Sequence, residues 1–88
     1  MTMTITLNYP FEHQGKTINE LQMRRPKLKD QLRILDMKLS EVKGELHMFA
    51  NLCEQPPDVI TELDMADYQQ LQNAYKDFLA STPVQSSN

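Results

Sequence analysis

Residues 26–54 read PKLKDQLRILDMKLSEVKGELHMFANLCE. Leu28, Leu32, Leu35, Leu39, Val42, Leu46, Phe49 and Cys53 recur at alternating intervals of four and three, the a/d spacing of a helical seam. Pro26 pushes the residue before it out of helical geometry and suits a helix's first turn, so the helical stretch opens here. Two readings fit the residues after it. One is a single unbroken helix across 27–54 that pairs with a copy of itself along the whole seam. The other breaks the stretch at 37–40, giving helices at about 27–37 and 41–54. Ser40 then caps the second helix, Glu41 sits in its first turn, and Gly44 weakens the interior by about 1 kcal/mol. The residues leave the two readings even.

Upstream, residues 3–9 alternate. Met3, Ile5, Leu7 and Tyr9 share one face and Thr4, Thr6 and Asn8 the other, the period of a half-buried strand. Pro10 is expected to end that strand, because it has no N–H for a ladder. Gly15 supplies a turn. A second strand over 16–24 has its phase slipped between Ile18 and Leu21, which predicts a bulge near Asn19 or Glu20. A lone hairpin is marginal in water, so its apolar face must lie on helices or on another chain. Downstream, Pro56 and Pro57 stop the helical stretch, and Pro57 opens a short turn, DVITEL. Asp64 and Asp67 resemble a capping box with Asp in place of Glu, ahead of a final helix at about 65–80. That helix repeats Tyr68, Leu71, Tyr75, Phe78 and Leu79 at helical spacing. The fold class expected is α+β: an N-terminal β-hairpin, then three or so α-helices in one domain over 1–80, with a disordered polar tail at 81–88.

With 88 residues, 40% apolar and no Trp, a self-sufficient core is thin, so an oligomer or a partner is expected. No apolar run approaches the roughly 18 residues that cross a bilayer. The opening MTMTITLNYP carries neither a basic nor an apolar signal region, so export is not expected, and the single Cys53 fits a reducing compartment. Charge is uneven: residues 1–44 hold 8 Lys/Arg against 5 acids, and residues 45–88 hold Lys76 against 7 acids. Arg24, Arg25, Lys27, Lys29 and Arg33 form a basic cluster. As a phosphate-binding patch it lacks interleaved aromatics, is interrupted by Asp30 and Asp36, and lies in an acidic protein. A solvated face that meets the acidic half of a second copy is the better reading.

Little in the sequence carries chemistry. His13 and His47 lack neighbours at ligand spacing, so no metal is expected. Cys53 at a seam position reads as a small apolar filler rather than a nucleophile. The two glycines form no phosphate loop, and pairs such as Glu41/Glu45 read as helix-surface acids. No catalytic residue and no cofactor is expected, and the chain is not read as an enzyme. Six methionines are a high proportion; their unbranched thioethers suit a surface that accepts apolar helices of varied shape, but ordinary gap filling in a small core is the better reading.

Taken in order, the features resemble a known family. A turn glycine at Gly15 precedes Leu21, Met23, Arg24 or Arg25, and Pro26, a Leu-x-Leu-Arg-x-Pro-like stretch. Asp30, then Leu46, Phe49 and Leu52, then Leu63, Asp67 and Tyr68, and a closing Phe78 and Leu79 complete the order. The match covers about residues 5–80. Gln31 stands where the family often has Leu, and LCEQPPDVI lacks a common Thr-Gly. This order is similar to that of the small tail assembly chaperones of contractile-tailed bacteriophages, the P2- and Mu-like tail assembly proteins.

The resemblance implies binding of the tape measure protein, a very long helical chain whose apolar segments need shelter, and assistance to assembly of the tail tube protein. It implies action in the host cytoplasm, absence from the mature virion, and a longer product made by translational frameshift. It also favours the break at 37–40. On this reading the partner-binding residues are Met48, Phe49, Leu52, Tyr68, Leu71 and Tyr75, on exposed sides of the second and last helices. The basic cluster is then a charged face between subunits of a homo-oligomer, with nucleic acid and membrane not expected. The alternatives are a coiled-coil oligomerisation module and a small nucleic-acid-binding regulator.

Overall fold

A computed structural model describes residues 2–80. The tail expected at 81–88 lies outside the described residues. The order is β1 (Thr2–His13), β2 (Lys16–Arg24), α1 (Leu28–Met37), α2 (Glu41–Leu52), α3 (Pro57–Thr61) and α4 (Met65–Ala80). The α+β class, the hairpin-first order and the helices after it are as the sequence predicts.

β1 and β2 form a two-stranded antiparallel sheet. Gln14 and Gly15 both take positive φ, 52° and 80°, between the paired His13 and Lys16. Two left-handed residues in a two-residue loop match the natural twist of a hairpin. Pro10 does not end β1, which runs on to His13. The register explains why. Thr6 faces Glu20 and Phe11 faces Ile18, so the residues between Thr6 and Phe11 loop out opposite Asn19. The bulge therefore lies where the phase slip of β2 places it, but the extra residues belong to β1. Pro10 sits inside it, where no ladder hydrogen bond is asked of it. Tyr9 is turned out of the apolar face by the same irregularity and is exposed, while Ile5 and Leu7 stay buried.

The stretch 27–54 is broken, which overturns the unbroken-helix reading. Lys38 closes α1 in the left-handed conformation, and Ser40 caps α2 by accepting from the Lys43 amide at 3.3 Å. The two halves of the leucine seam then part. Phe49 and Cys53 enter the core, whereas Leu28, Leu32 and Leu35 on α1 remain in solvent. Gly44 does not divide anything; it is buried in α2. A Cβ there would lie 3.3 Å from Cγ2 of Ile34, so the bare backbone lets α1 and α2 approach closely. Pro57 starts α3 as expected, and its Val59 and Ile60 are buried.

Leu21 and Met23 of β2 with Ile5 and Leu7 of β1 face Phe49 and Leu52 of α2, Val59 and Ile60 of α3, and Leu71 and Phe78 of α4. The helices thus cover the single apolar face of the hairpin, which supplies the packing layer a lone hairpin lacks.

Candidate functional site: a groove beside the leucine row of α1

Two buried carboxylates fix the frame around the site. Asp30, in the first turn of α1, accepts from both terminal nitrogens of Arg24 at 3.0 and 2.8 Å, from the Lys27 backbone N–H at 2.9 Å, and from Nδ2 of Asn51 at 2.9 Å. It ties the end of β2, the start of α1 and the end of α2 to one point. The bidentate guanidinium of Arg24 holds its carboxyl well below the usual carboxylate range, against the opposing effect of burial. Arg24 is raised in return, first by the same hydrogen bond.

Asp67 is completely buried and does not complete a capping box. Asp64 alone caps α4, accepting from the Ala66 amide at 2.8 Å. Asp67 instead reaches into the β1 bulge, where it accepts from the Asn8 and Tyr9 amides at 2.8 and 2.9 Å and from Gln70 at 2.8 Å. Burial pushes its carboxyl up, but these three donors outweigh that and leave it below its ordinary value. Asp67→Asn replaces one acceptor oxygen by an NH2 facing an amide. It should lower the stability measured by urea denaturation by about 1–2 kcal/mol at neutral pH.

Between α1, the 38–40 turn, α2 and α4 lies a groove of about 650 Å³. Ile34, Leu39, Met48, Phe49 and Tyr75 give it an apolar floor, Glu41 and Glu45 an acidic lip, and Lys38 a single cation. Phe49 anchors the wall through tilted ring contacts, at 5.5 Å to Tyr68 and 5.7 Å to Tyr75. The Tyr68 hydroxyl donates to Glu45 Oε1 at 2.7 Å, and Gln72 donates to the same oxygen at 3.0 Å. Burial, then the hydrogen bond to Glu45, raise the Tyr68 phenol above its usual range.

The structure rearranges the six residues expected to face a partner. Met48, Phe49 and Tyr75 do border one groove. Their expected exposure is corrected, because Met48, Phe49, Leu52 and Leu71 are all buried and only Tyr68 and Tyr75 are half-exposed. Leu52 and Leu71 do not reach the groove at all. The hairpin's apolar face is the reason: it takes up the side of α2 and α4 that a free helix would offer outward.

Outside that set, Tyr9, Val42, Met65 and Leu79 are exposed on other elements, and α1 gathers several exposed apolar groups on one helix. Leu28, Leu32 and Leu35 are 73%, 53% and 60% exposed, on the helix face opposite buried Asp30 and half-buried Ile34. The sequence carries a signal for them, since α1 has apolar residues on two opposite faces and one domain can cover only one of them. Of the basic cluster, Arg24 is tied to Asp30, while Arg25, whose guanidinium lies 5.7 Å over the Phe78 ring, stays exposed with Lys27, Lys29 and Arg33. The ion pair with Asp30 takes Arg24 out of the field a phosphate backbone needs.

Cys53 is buried and its thiol is pushed up to about 12 by that burial. In the folded chain a disulfide reagent at pH 8 should label it at least about a hundredfold more slowly than in the urea-unfolded chain. Among the described residues no cluster of three or more potential metal ligands occurs, and no helix is long and apolar enough to cross a membrane.

The comparison with known families is decisive for the class. The family described as phage tail assembly chaperone proteins, E, or 41 or 14, matches residues 4–80. The chain belongs to this family. No curated protein and no solved structure matches it. Family membership gives the chaperone a general role in phage tail assembly, with phage tail proteins as partners, and points to a non-enzymatic function. The matched span contains both carboxylate joints, the groove and the leucine row.

Proposed function

We propose that this chaperone binds the tape measure protein, keeps its apolar helical segments soluble, and assists assembly of the tail tube protein around it. It acts in the host cytoplasm and is left out of the mature virion. The observation that carries this reading is the groove between α1, α2 and α4. Its floor is apolar and includes the adaptable Met48, and its walls are held by aromatic packing and by the close α1–α2 approach at Gly44. An amphipathic helix laid there would bury its apolar stripe against Ile34, Leu39 and Met48 and turn polar residues toward Glu41 and Lys38. Many copies along one long chain hold it by avidity, so each contact can be weak.

Coexpression with the tape measure protein tests this. The wild-type chaperone should bring the tape measure into the soluble fraction. Leu39→Glu, at the half-exposed edge of the floor, should reduce that recovery about tenfold, since one interface anchor is worth roughly 1–2 kcal/mol. Its thermal unfolding should stay close to wild type. Undiminished recovery with Leu39→Glu would remove the groove as the binding site, and no recovery with the wild type would remove the reading itself.

A further inference from the structure

We propose that the leucine row of α1 is the contact between two copies of this chain, paired antiparallel about a twofold axis that passes between Leu32 and Leu35. Leu28, Leu32 and Leu35 form a row facing solvent on one side of the helix. Helix α1 has ten residues, so its reach is that of one short helix rather than of a long coiled coil. A row spaced four then three packs knobs into holes against another of the same spacing.

The charges beside the row say which partner fits. Lys29 and Asp36 lie on the same flank, seven residues apart, and neither makes a hydrogen bond or ion pair within the described residues. When the row is placed against itself in antiparallel register, Leu32 opposes Leu35 of the partner. Lys29 of each copy then falls beside Asp36 of the other, giving two equivalent ion pairs around the axis. A parallel arrangement sets Asp36 beside Gln31 and gives Lys29 no acidic neighbour on the partner's α1, so it forms neither ion pair. The opposite flank carries Gln31, and Gln31 and Leu35 both line the groove, so the paired face adjoins the groove's rim while Ile34, Met48 and Phe49 lie outside the row. Self-complementarity about one axis is what a closed dimer requires. This inference is independent of what the groove holds.

Sedimentation velocity on the full chain between about 1 and 500 µM tests it. The wild type should show a concentration-dependent monomer–dimer equilibrium that weakens with salt. Leu32→Glu should sediment as a monomer throughout while retaining its circular dichroism. Lys29→Asp and Asp36→Lys should each weaken the dimer about tenfold, because both symmetric pairs become repulsive at once. The double variant, Lys29→Asp with Asp36→Lys, should return to within about threefold of wild type. A wild type that stays monomeric at 500 µM overturns the proposal, as does a Leu32→Glu dimer or a double variant as weak as the singles. Soluble recovery of the tape measure by the monomeric Leu32→Glu variant supports the separation of the two surfaces, and its loss overturns that separation.

Discussion

Phe49→Ala lowers the stability of the isolated chain by about 3–5 kcal/mol, the largest effect expected of any single substitution in this fold. Phe49 is almost fully buried, and its ring touches both Tyr68 and Tyr75. Truncation removes the apolar burial, leaves a cavity beneath the groove and deletes two aromatic contacts. A small domain holds only about 5–15 kcal/mol in total, so the variant loses a large share of it. A urea midpoint, with the unchanged slope that marks two-state unfolding, measures the loss. A drop below about 1 kcal/mol would show that Phe49 faces solvent in solution. The same expectation bears on function. A failure of Phe49→Ala to hold the tape measure would report unfolding, which is why the groove is tested at Leu39.

Asp30→Ala comes next, with an expected loss of about 2–4 kcal/mol at pH 7. Removing a carboxylate that accepts four hydrogen bonds leaves Arg24, Asn51 and the Lys27 amide without their common partner. The partly exposed Arg24 recovers some hydration, which keeps the figure below that of a fully buried pair. The loss is also pH-dependent, with a defined sign. In the unfolded chain this carboxyl titrates near pH 4, and in the folded chain it stays ionised well below that. Its contribution is therefore complete above about pH 5 and declines as the pH falls from there toward the depressed folded value. The wild type should become less stable between pH 5 and pH 3, and Asp30→Ala should show a shallower acid limb over the same interval. Equal slopes for the two proteins would mean that Asp30 is not held as an ion. Asp67, also depressed, adds a second component of the same sign that persists in the variant.

The elements themselves are legible in the sequence because each has a local cause. Alternation from Met3 to Leu7, the Gly15 turn, Ser40, the Pro56–Pro57 stop and the aromatic repeat of the last helix all act within a few residues of themselves. The family resemblance rests on the same order of signals. What the sequence hides depends on distant partners. Asp67 looks like a capping residue until β1, nearly sixty positions away, presents two amides to it. Gly44 looks like a weak point until Ile34 lies against it. The seam from Leu28 to Cys53 is uniform as a string, yet Leu28, Leu32, Leu35 and Val42 are exposed while Phe49 and Cys53 are core, because only the hairpin decides which helix face is covered. For that reason the sequence alone points to the apolar stripe of α2 and α4 as the docking surface and passes over the row on α1.

The Asp67 joint has one more consequence. A strand at the margin of a sheet carries backbone groups that can recruit another strand, and a compartment crowded with identical copies invites such stacking. In β1 the Asn8 and Tyr9 amides are already bonded to Asp67, and the Thr6 carbonyl accepts from Gln70. Pro10 adds a position with no amide to offer. This part of the rim is bonded to the last helix and kinked out of line, so between Thr6 and Pro10 it offers a neighbouring strand no free amide at Asn8 or Tyr9. Loosening the joint should therefore show first as precipitation on concentration, before any defect in assembly is seen.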